Sequence, residues 1–433
     1  GGNDIATGKN GIGIYAEAAD INLNSDNFAV ETQDNGVGLW GMDDTNVAIG
    51  ANHTKKFLYN YKGANDKNGF AMAFGGKHSG NTTARNDLDI EFTNAGDTAV
   101  TLPNEISGVT TGTTKGIAGI LVNTNNAGDR VINKGNIKED ETKSKTHVRA
   151  YGAVVNKGTF ENWGDITLQE SLLPNKASEV TSEDMKKVNV GILANDHSAD
   201  ARYNTFIEHH GDIKIGDEAN HKQNVGSWAI YGYNITTGAK ADGTDSVFTI
   251  NRNSYGIYSG DGNVDIKNTK IKVGNDKVLG HQQVQNAIDS AGNPYTISNR
   301  QTTYTHPDDL LSGLDNPRER DSAIGVYINN NRGLSDTART INIAADMEID
   351  RFSHGIVLAE KTGGAVTTVN LGTSAADAPK IKLAYSTASN AGGHVKSVTP
   401  HTPEIWDKEP EEQGNSVYYY SADTNSKAKS YAN

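Results

Sequence analysis

The apolar residues of this chain recur in one short phrase: glycine, aliphatic, small, aliphatic, then an aromatic or aliphatic residue. It reads G-I-G-I-Y at Gly11 to Tyr15, G-V-G-L-W at Gly36 to Trp40, G-F-A-M-A-F from Gly69 and G-I-A-G-I-L from Gly116. Further copies begin at Tyr151, Val190, Tyr255, Ala323 and His354. Most are answered by a second alternating run, such as Ile21/Leu23, Val47/Ile49, Leu88/Ile90/Phe92, Val264/Ile266, Ile341/Ile343 and Val369/Leu371. An apolar residue at every second position is the period of a strand with one buried face. Copies spaced about 20 to 40 residues apart fall in the range of a solenoid repeat. Apolar residues seldom recur at helical spacing, while glycine and β-branched residues are common, which disfavours helix. The pattern predicts an all-β chain: one parallel β-helix (solenoid) of about a dozen irregular coils with long loop insertions. Ile12, Ile14, Val37, Leu39, Ile257, Ile324, Val326, Ile356 and Leu358 are expected to point inward.

Between the apolar runs lie recurrent corners. V-I-N-K-G-N-I occupies Val131 to Ile137 and V-V-N-K-G-T-F occupies Val154 to Phe160, followed by E-N-W-G-D-I at Glu161 to Ile166. I-E-H-H-G-D-I at Ile207 to Ile213 is a degenerate copy. Asn and Gly tolerate positive φ, so each corner is a place for one strand to turn into the next. Longer polar interruptions are expected near 51–68, 138–149, 167–187, 275–321 and 384–413. A short helical stretch at Gln282 to Ile288 fits inside the largest. All nine prolines lie outside the repeat strands, as strands paired on both sides require. On this reading residues 1–433 form one body whose insertions project from its corners.

Composition agrees with a thin core. Hydrophobic residues make up 35%, and there are 47 glycines in 433 residues. The formal charge of −13 argues against nucleic acid or an anionic membrane as partner, because both attract basic surfaces. No apolar run approaches the roughly 20 residues that span a bilayer, so no membrane insertion is expected of this segment. No signal peptide opens the chain at Gly1, and it reads as a monomeric fragment of a longer or processed protein. There is no cysteine, which suits a chain that crosses an oxidising compartment unfolded.

With the G-I-G-I-Y phrases and the N-K-G corners in view, the chain resembles the passenger domains of type V (autotransporter) surface proteins, in particular the very large fusobacterial adhesins. The resemblance covers nearly everything except the insertions. It implies a right-handed parallel β-helix, exported through an outer-membrane barrel that this chain does not contain, and a location at the bacterial cell surface, outer membrane or secreted. It implies partners such as a host cell-surface protein or glycan, or other bacteria.

Candidate chemistry is sparse. His209 and His210 are consecutive, so on a strand they point to opposite faces and chelate poorly. Asp261, Asn263 and Asp265, and likewise Asp66 and Asn68, alternate as calcium loops do but lack the bidentate glutamate at the required spacing. No metal and no cofactor is expected. Carbohydrate-cleaving β-helices need clustered carboxylates; Asp87/Asp89, Asp308/Asp309 and Asp346/Glu348/Asp350 are the dense groups, and the last reads as a solvated outer face. Ser259 and Ser416 have no His/Asp context for nucleophilic catalysis, so no catalytic residue is expected. Aromatic residues outside the repeat pattern gather at Phe57, Tyr59 and Tyr61, at Tyr295 and Tyr304, and at Trp406 with Tyr418 to Tyr420. Tyr and Trp supply rigid contact area. The candidate binding residues are therefore Tyr295, Tyr304, Arg318, Arg320 and Trp406, on the two longest insertions. The functional expectation is a non-catalytic adhesin segment; a polysaccharide-degrading enzyme and a structural stalk are the alternatives.

Overall fold

The computed structural model describes residues 4–49, 56–63, 67–94, 116–140, 150–169, 189–194, 204–216, 227–250, 255–260, 262–273, 324–330, 339–349, 354–360, 368–372, 379–383, 416–421 and 429–432. Among them every regular element is a strand. The chain forms two compact units, the first made of Gly1–Gln169, Asn189–Ile215 and Ile230–Ser246, the second of Glu170–Val188, Gly216–Ala229 and Val247–Asn433.

In the first unit the strands are dealt in rotation to three parallel ladders. The first ladder stacks Ile5–Ala6, Asn27–Thr32, Lys56–Tyr61, Asp89–Asn94, Ile137–Glu139, Ile166–Leu168 and Ile213–Ile215. The second stacks Ile12–Glu17, Gly36–Met42, Asn68–Gly75, Gly116–Asn123, the start of Ala150–Asn162, and Val190–Ala194. The third stacks Asp20–Leu23, Asn46–Ile49, Thr83–Asn86, Arg130–Asn133, the end of Ala150–Asn162, Thr205–His209 and Asn234–Thr237. Each G-x-G-x-aromatic phrase lies on the second ladder. The alternating runs that follow lie on the third and first.

Register places like on like. Ile14, Leu39, Met72, Ile120, Ala153 and Ile192 form one column of the second ladder. Phe57, Ile90, Ile137, Ile166 and Ile213 form a column of the first. The small residue inside the phrase has a steric cause: a Cβ on Gly119 would run into Ile137, and one on Gly152 into Ile166. Glycine there lets the second ladder close down on the first. The same phrase departs from simple alternation. The residues from Ala150 to Val155 are all buried, as are those of Tyr255–Gly260, so these strands are covered on both faces.

Of the expected inward residues, Val37, Leu39, Ile257, Ile324, Val326 and Ile356 are buried. Ile12 is 37% exposed and Ile14 half-buried, because among the described residues Ile12–Glu17 has a ladder neighbour on one side alone. The Leu358 side chain lies outside the described residues. The K-K-F-L-Y-N-Y-K run, read from sequence as an interruption, is instead the core strand Lys56–Tyr61, with Phe57, Tyr59 and Tyr61 fully buried. Its aromatics stand two apart, which is the strand period itself. The Tyr59 hydroxyl shares a 2.7 Å hydrogen bond with Thr32 Oγ1 and donates to the Gly36 carbonyl at 3.0 Å. A buried phenol needs such partners, and burial pushes its pKa upward.

The corners between third and first ladders are locked twice. Inside, Asn86, Asn133 and Asn162 lie in register with no exposed surface. Asn86 Nδ2 donates to Leu88 O at 2.9 Å and to Asn133 Oδ1 at 2.8 Å. Asn133 Nδ2 donates to Gly135 O at 2.7 Å and to Asn162 Oδ1 at 2.6 Å. Asn162 Nδ2 donates to Gly164 O at 2.6 Å and meets His209 Nδ1 at 3.0 Å. Outside, Asp89 Oδ1 accepts from Asn136 N (2.7 Å), Asn136 Oδ1 from Asp165 N (2.9 Å), and Asp165 Oδ1 from Asp212 N (2.8 Å). Glycine holds the position between the two locks because a Cβ on Gly135 would strike Leu88 O, one on Gly164 Gly135 O, and one on Gly211 Gly164 O. The corner motif at Asn133 and Asn162 is therefore an inward amide, a variable outward residue, a glycine and an outward Asp or Asn; the corner at Asn86 has Leu88 at the glycine position, and that at His209 has histidine for the amide. Asn156-Lys157-Gly158 has the same letters but another place: it lies where strand Ala150–Asn162 passes from the second ladder into the third, with Gly158 at φ 100° and a shift of register beside it.

The second unit repeats the arrangement more briefly. Ile257, Val326 and Ile356 align on one ladder, Val264, Ile341 and Val369 on another, and Ile271, Met347 and Ile381 on a third. Ser416–Ser421 joins the first of these in parallel and pairs antiparallel with Lys429–Ala432.

The corner geometry makes a direct prediction. Gly135→Ala is expected to destabilise the first unit by about 2–4 kcal/mol, whereas Lys134→Ala, on the exposed side of the same corner, costs no more than about 0.5 kcal/mol. Guanidinium unfolding of the two variants side by side checks this.

Candidate functional site

Two polar clusters on the first unit are built well enough to present a surface. The first spans three repeats on the outer side of the third ladder. Glu161 and Glu208 are register partners, and Arg130 joins them. Its Nε donates to Glu161 Oε2 at 2.6 Å, and its Nη2 donates to Glu208 Oε2. The other Glu161 oxygen accepts from Trp163 Nε1. Trp163, at the variable outward position of its corner, stacks on His210 from the next corner, with ring centroids 4.0 Å apart and planes 9° from parallel. His210 Nδ1 donates to Ala239 O at 3.2 Å, and Lys240 Nζ to Asp212 Oδ2 at 3.1 Å. Like charges at directly opposed positions repel, so the guanidinium between the two glutamates neutralises a pair that register forces together. Burial alone would raise the Glu161 pKa; Trp163 and Arg130 outweigh it and hold the carboxyl below its usual range. A carboxylate so fixed serves as an anchor and a poor general acid.

The second cluster covers the corners between second and third ladders. Asp43, at φ 56° and with its side chain buried, accepts backbone N–H bonds from Lys77 (2.6 Å) and His78 (3.1 Å) and contacts His78 Nδ1 at 2.7 Å. Asp129, fully buried, accepts from the backbone of Thr82 (2.8 Å), Asn126 (2.8 Å) and Asn125 (3.1 Å). Asn126 Nδ2 in turn donates to His78 O and Gly80 O, each at 3.1 Å. Lys77 Nζ donates to Glu17 Oε2 at 2.7 Å and Tyr15 OH at 2.9 Å. Two buried carboxylates thus fold the loops at 76–82 and 124–129 onto the body and fix an exposed histidine and lysine above them.

The residues expected to bind, Tyr295, Tyr304, Arg318, Arg320 and Trp406, lie outside the described residues, as do Asp66, Asp261, Asp308, Asp309 and the helical stretch 282–288. Tyr418 to Tyr420 lie on strand Ser416–Ser421. His209 and His210 point to opposite faces, one buried in the corner stack and one on Trp163. Asp346 and Glu348 are exposed on either side of buried Met347, and Glu348 pairs with Lys270 at 2.7 Å. Asp87 accepts from Arg85 and Asp265 from Lys267, while Ser259 is buried. Among the described residues no group of three or more His, Asp or Glu is placed to hold a metal ion. The Arg130 cluster escapes a reading by local spacing, since its members are 31 and 47 residues apart. A signal was present: E-N-W-G-D-I and E-H-H-G-D-I align Glu161 with Glu208 and Trp163 with His210. Comparison of the chain with known protein families, with curated proteins and with solved structures finds no match.

The Asp43–His78 contact dictates a pH response. Its hydrogen bond to Asp43, then the carboxylate charge, raise the His78 pKa above 6.5. Burial opposes ionisation of Asp43, but the N–H bonds of Lys77 and His78 prevail and hold its pKa below 3.8. A raised histidine contributes stability in full below its unfolded pKa and loses it as pH rises through the folded one. A depressed carboxylate contributes above its unfolded pKa and loses it as pH falls. The loop at 76–82 is thus expected to be held most tightly between these limits. Imidazole NMR should show His78 titrating above 6.5, and Asp43→Asn should return it towards that value.

Proposed function

We propose that this chain is a segment of the passenger of a type V (autotransporter) surface protein of the large fusobacterial adhesin type. It would form a right-handed parallel β-helix and act at the bacterial cell surface as a non-catalytic adhesin. The observation that carries the architecture is the rotation of strands through three parallel ladders, with like residues stacked and loops leaving at the corners; a β-helix has this order. Adhesion is supported by the kind of surface built on that body: aromatic and charged side chains fixed by cross-repeat bonds, as in Trp163, His210 and Arg130. Such preorganised groups suit contact with a protein or glycan of a host cell or another bacterium. The net charge of −13 weighs against nucleic acid. A polysaccharide-degrading enzyme is the weaker reading, because glycoside cleavage needs one carboxyl held protonated, whereas the Glu161 pKa is lowered and Glu348 is ion-paired.

Binding of the chain to a glycan array and to host and bacterial cells, run beside a reducing-sugar release assay on the same glycans, tests this. Binding without sugar release is expected, and Trp163→Ala with Arg130→Ala is expected to weaken it about tenfold if their surface is the contact. Release of reducing sugar would replace the adhesin with the enzyme. Absence of binding in every arm would leave the stalk.

A further inference from the structure

The first unit leaves few of its cations unpaired, and those few lie together. Among its described residues Lys9, Lys56, Lys62, Lys77, Arg85, Arg130 and Lys240 each meet a carboxylate. The exposed lysines described there that meet none are Lys134, Lys138 and Lys214. Register brings them to one patch around Trp163. Lys134, Trp163 and His210 follow one another on the outside of successive corners, each N–H bonded to the coil before. Lys138, Thr167 and Lys214 follow one another across the outer face of the first ladder, so two strand spacings, about 10 Å, separate the backbones of the two lysines. Asp165 lies exposed between these columns. Its Oδ1 accepts from Asp212 N at 2.8 Å, and its own N–H donates to Asn136 Oδ1 at 2.9 Å. Among the described residues its Oδ2 and the Thr167 hydroxyl make no hydrogen bond.

We propose that this patch is a subsite for an acidic glycan, a sugar chain bearing carboxylate or sulfate groups, which stacks a ring on Trp163 and sets its anionic groups against Lys134, Lys138 and Lys214. The inference rests on the adhesin reading and narrows its partner. The other acidic side chains around the patch are already engaged. Arg130 holds Glu161 and Glu208, and Lys240 holds Asp212. On the coil before, Asp87 is held by Arg85, Glu91 by Lys56, and Asp89 by the Asn136 N–H. The three lysines are therefore a local excess of cations on a chain of net charge −13, and each ammonium keeps its three donors for a partner. Trp163 is in place before that partner arrives: one ring face lies on His210, and Nε1 donates to Glu161 Oε1. The opposite face is turned towards the corner of Lys134. An ordered aromatic ring offers stacking area at little further cost in entropy. Asp165 decides between kinds of anion. A carboxylate at the centre of the patch repels a dense polyanion, yet it accepts readily from a hydroxyl. A sugar chain, with hydroxyls between its charges, meets both demands; an acidic peptide has no such row of hydroxyls.

Calorimetric titration of the full chain tests this, with sialyllactose against lactose for the carboxylate and a heparin tetrasaccharide against its desulfated, carboxyl-reduced form for the sulfate. At least one anionic sugar is expected to bind about tenfold more tightly than its neutral counterpart, and less tightly as salt is raised. Lys138→Ala with Lys214→Ala is expected to abolish that preference, Trp163→Ala to weaken every sugar, and Lys56→Ala, at a paired lysine of the same ladder, to change nothing. Equal binding of charged and neutral sugars overturns the proposal. So does a preference that survives the double variant, or a polyglutamate peptide bound as tightly as the sugars. Should the double variant fail to fold, the salt series on wild type decides, and binding indifferent to salt overturns the proposal. A chain that holds host or bacterial cells but none of these sugars overturns the subsite and keeps the adhesin; one that holds neither overturns both.

Discussion

Everything in the first unit depends on the hydrogen bonds that tie one repeat to the next in parallel register. No repeat here has an interior of its own. Its apolar residues are covered only when the neighbouring strand lies 25 to 48 residues away in sequence but adjacent in space. Backbone pairing sets the spacing, and the side chains then have no freedom to choose partners: isoleucine meets isoleucine and asparagine meets asparagine. The corners are where this constraint is hardest to satisfy, because a turning backbone loses ladder bonds while remaining buried. Inward amides meet that need by bonding both along their own corner and across to the next. The outward Asp/Asn row does the same for the following N–H groups.

Much of this was legible in the chain itself. Period-two runs such as Leu88/Ile90/Phe92 gave strands, and the recurrence of G-x-G-x-aromatic gave a repeat. What spacing could not give was the identity of the faces. Phe57, Tyr59 and Tyr61 looked like an insertion because they lie outside the glycine-led phrase, yet their own alternation is that of a buried strand. Asn133-Lys134-Gly135 and Asn156-Lys157-Gly158 are the same three letters, and only register separates the turn from third ladder to first from the passage from second ladder to third. The Arg130–Glu161–Glu208 cluster was hidden for the same reason: side chains that touch across a parallel ladder are distant in sequence by whole repeats. The insertion residues chosen for their exposed look, from Tyr295 to Trp406, rest on composition alone, whereas Trp163 sits in a repeated motif and is placed by it.

The candidate surfaces share a principle with the core. At both, a charge or aromatic ring is held by groups from other repeats, so rigidity comes from stacking and not from local loop structure. That suits recognition better than chemistry. A general acid needs a proton it can release, and the carboxylates at these sites are committed to Arg130, Trp163 or backbone N–H groups. A binding face needs the reverse, side chains whose positions cost little further entropy when a partner arrives.

The amide row in the corners also has a direction, and directions can be misread. Each amide gives a hydrogen forward, and Asn133 and Asn162 each take one from the repeat before. A strand that docked one residue out of step would carry its amide to the wet side and leave a buried carbonyl and a buried N–H without partners, at about 1–3 kcal/mol each. Long loops make such slips easy, since nothing in the loop measures distance along the neighbouring strand. The corner does measure it. The stack is a proofreading device as much as a brace, and it allows the connecting loops to vary in length and sequence while the order of the body stays fixed.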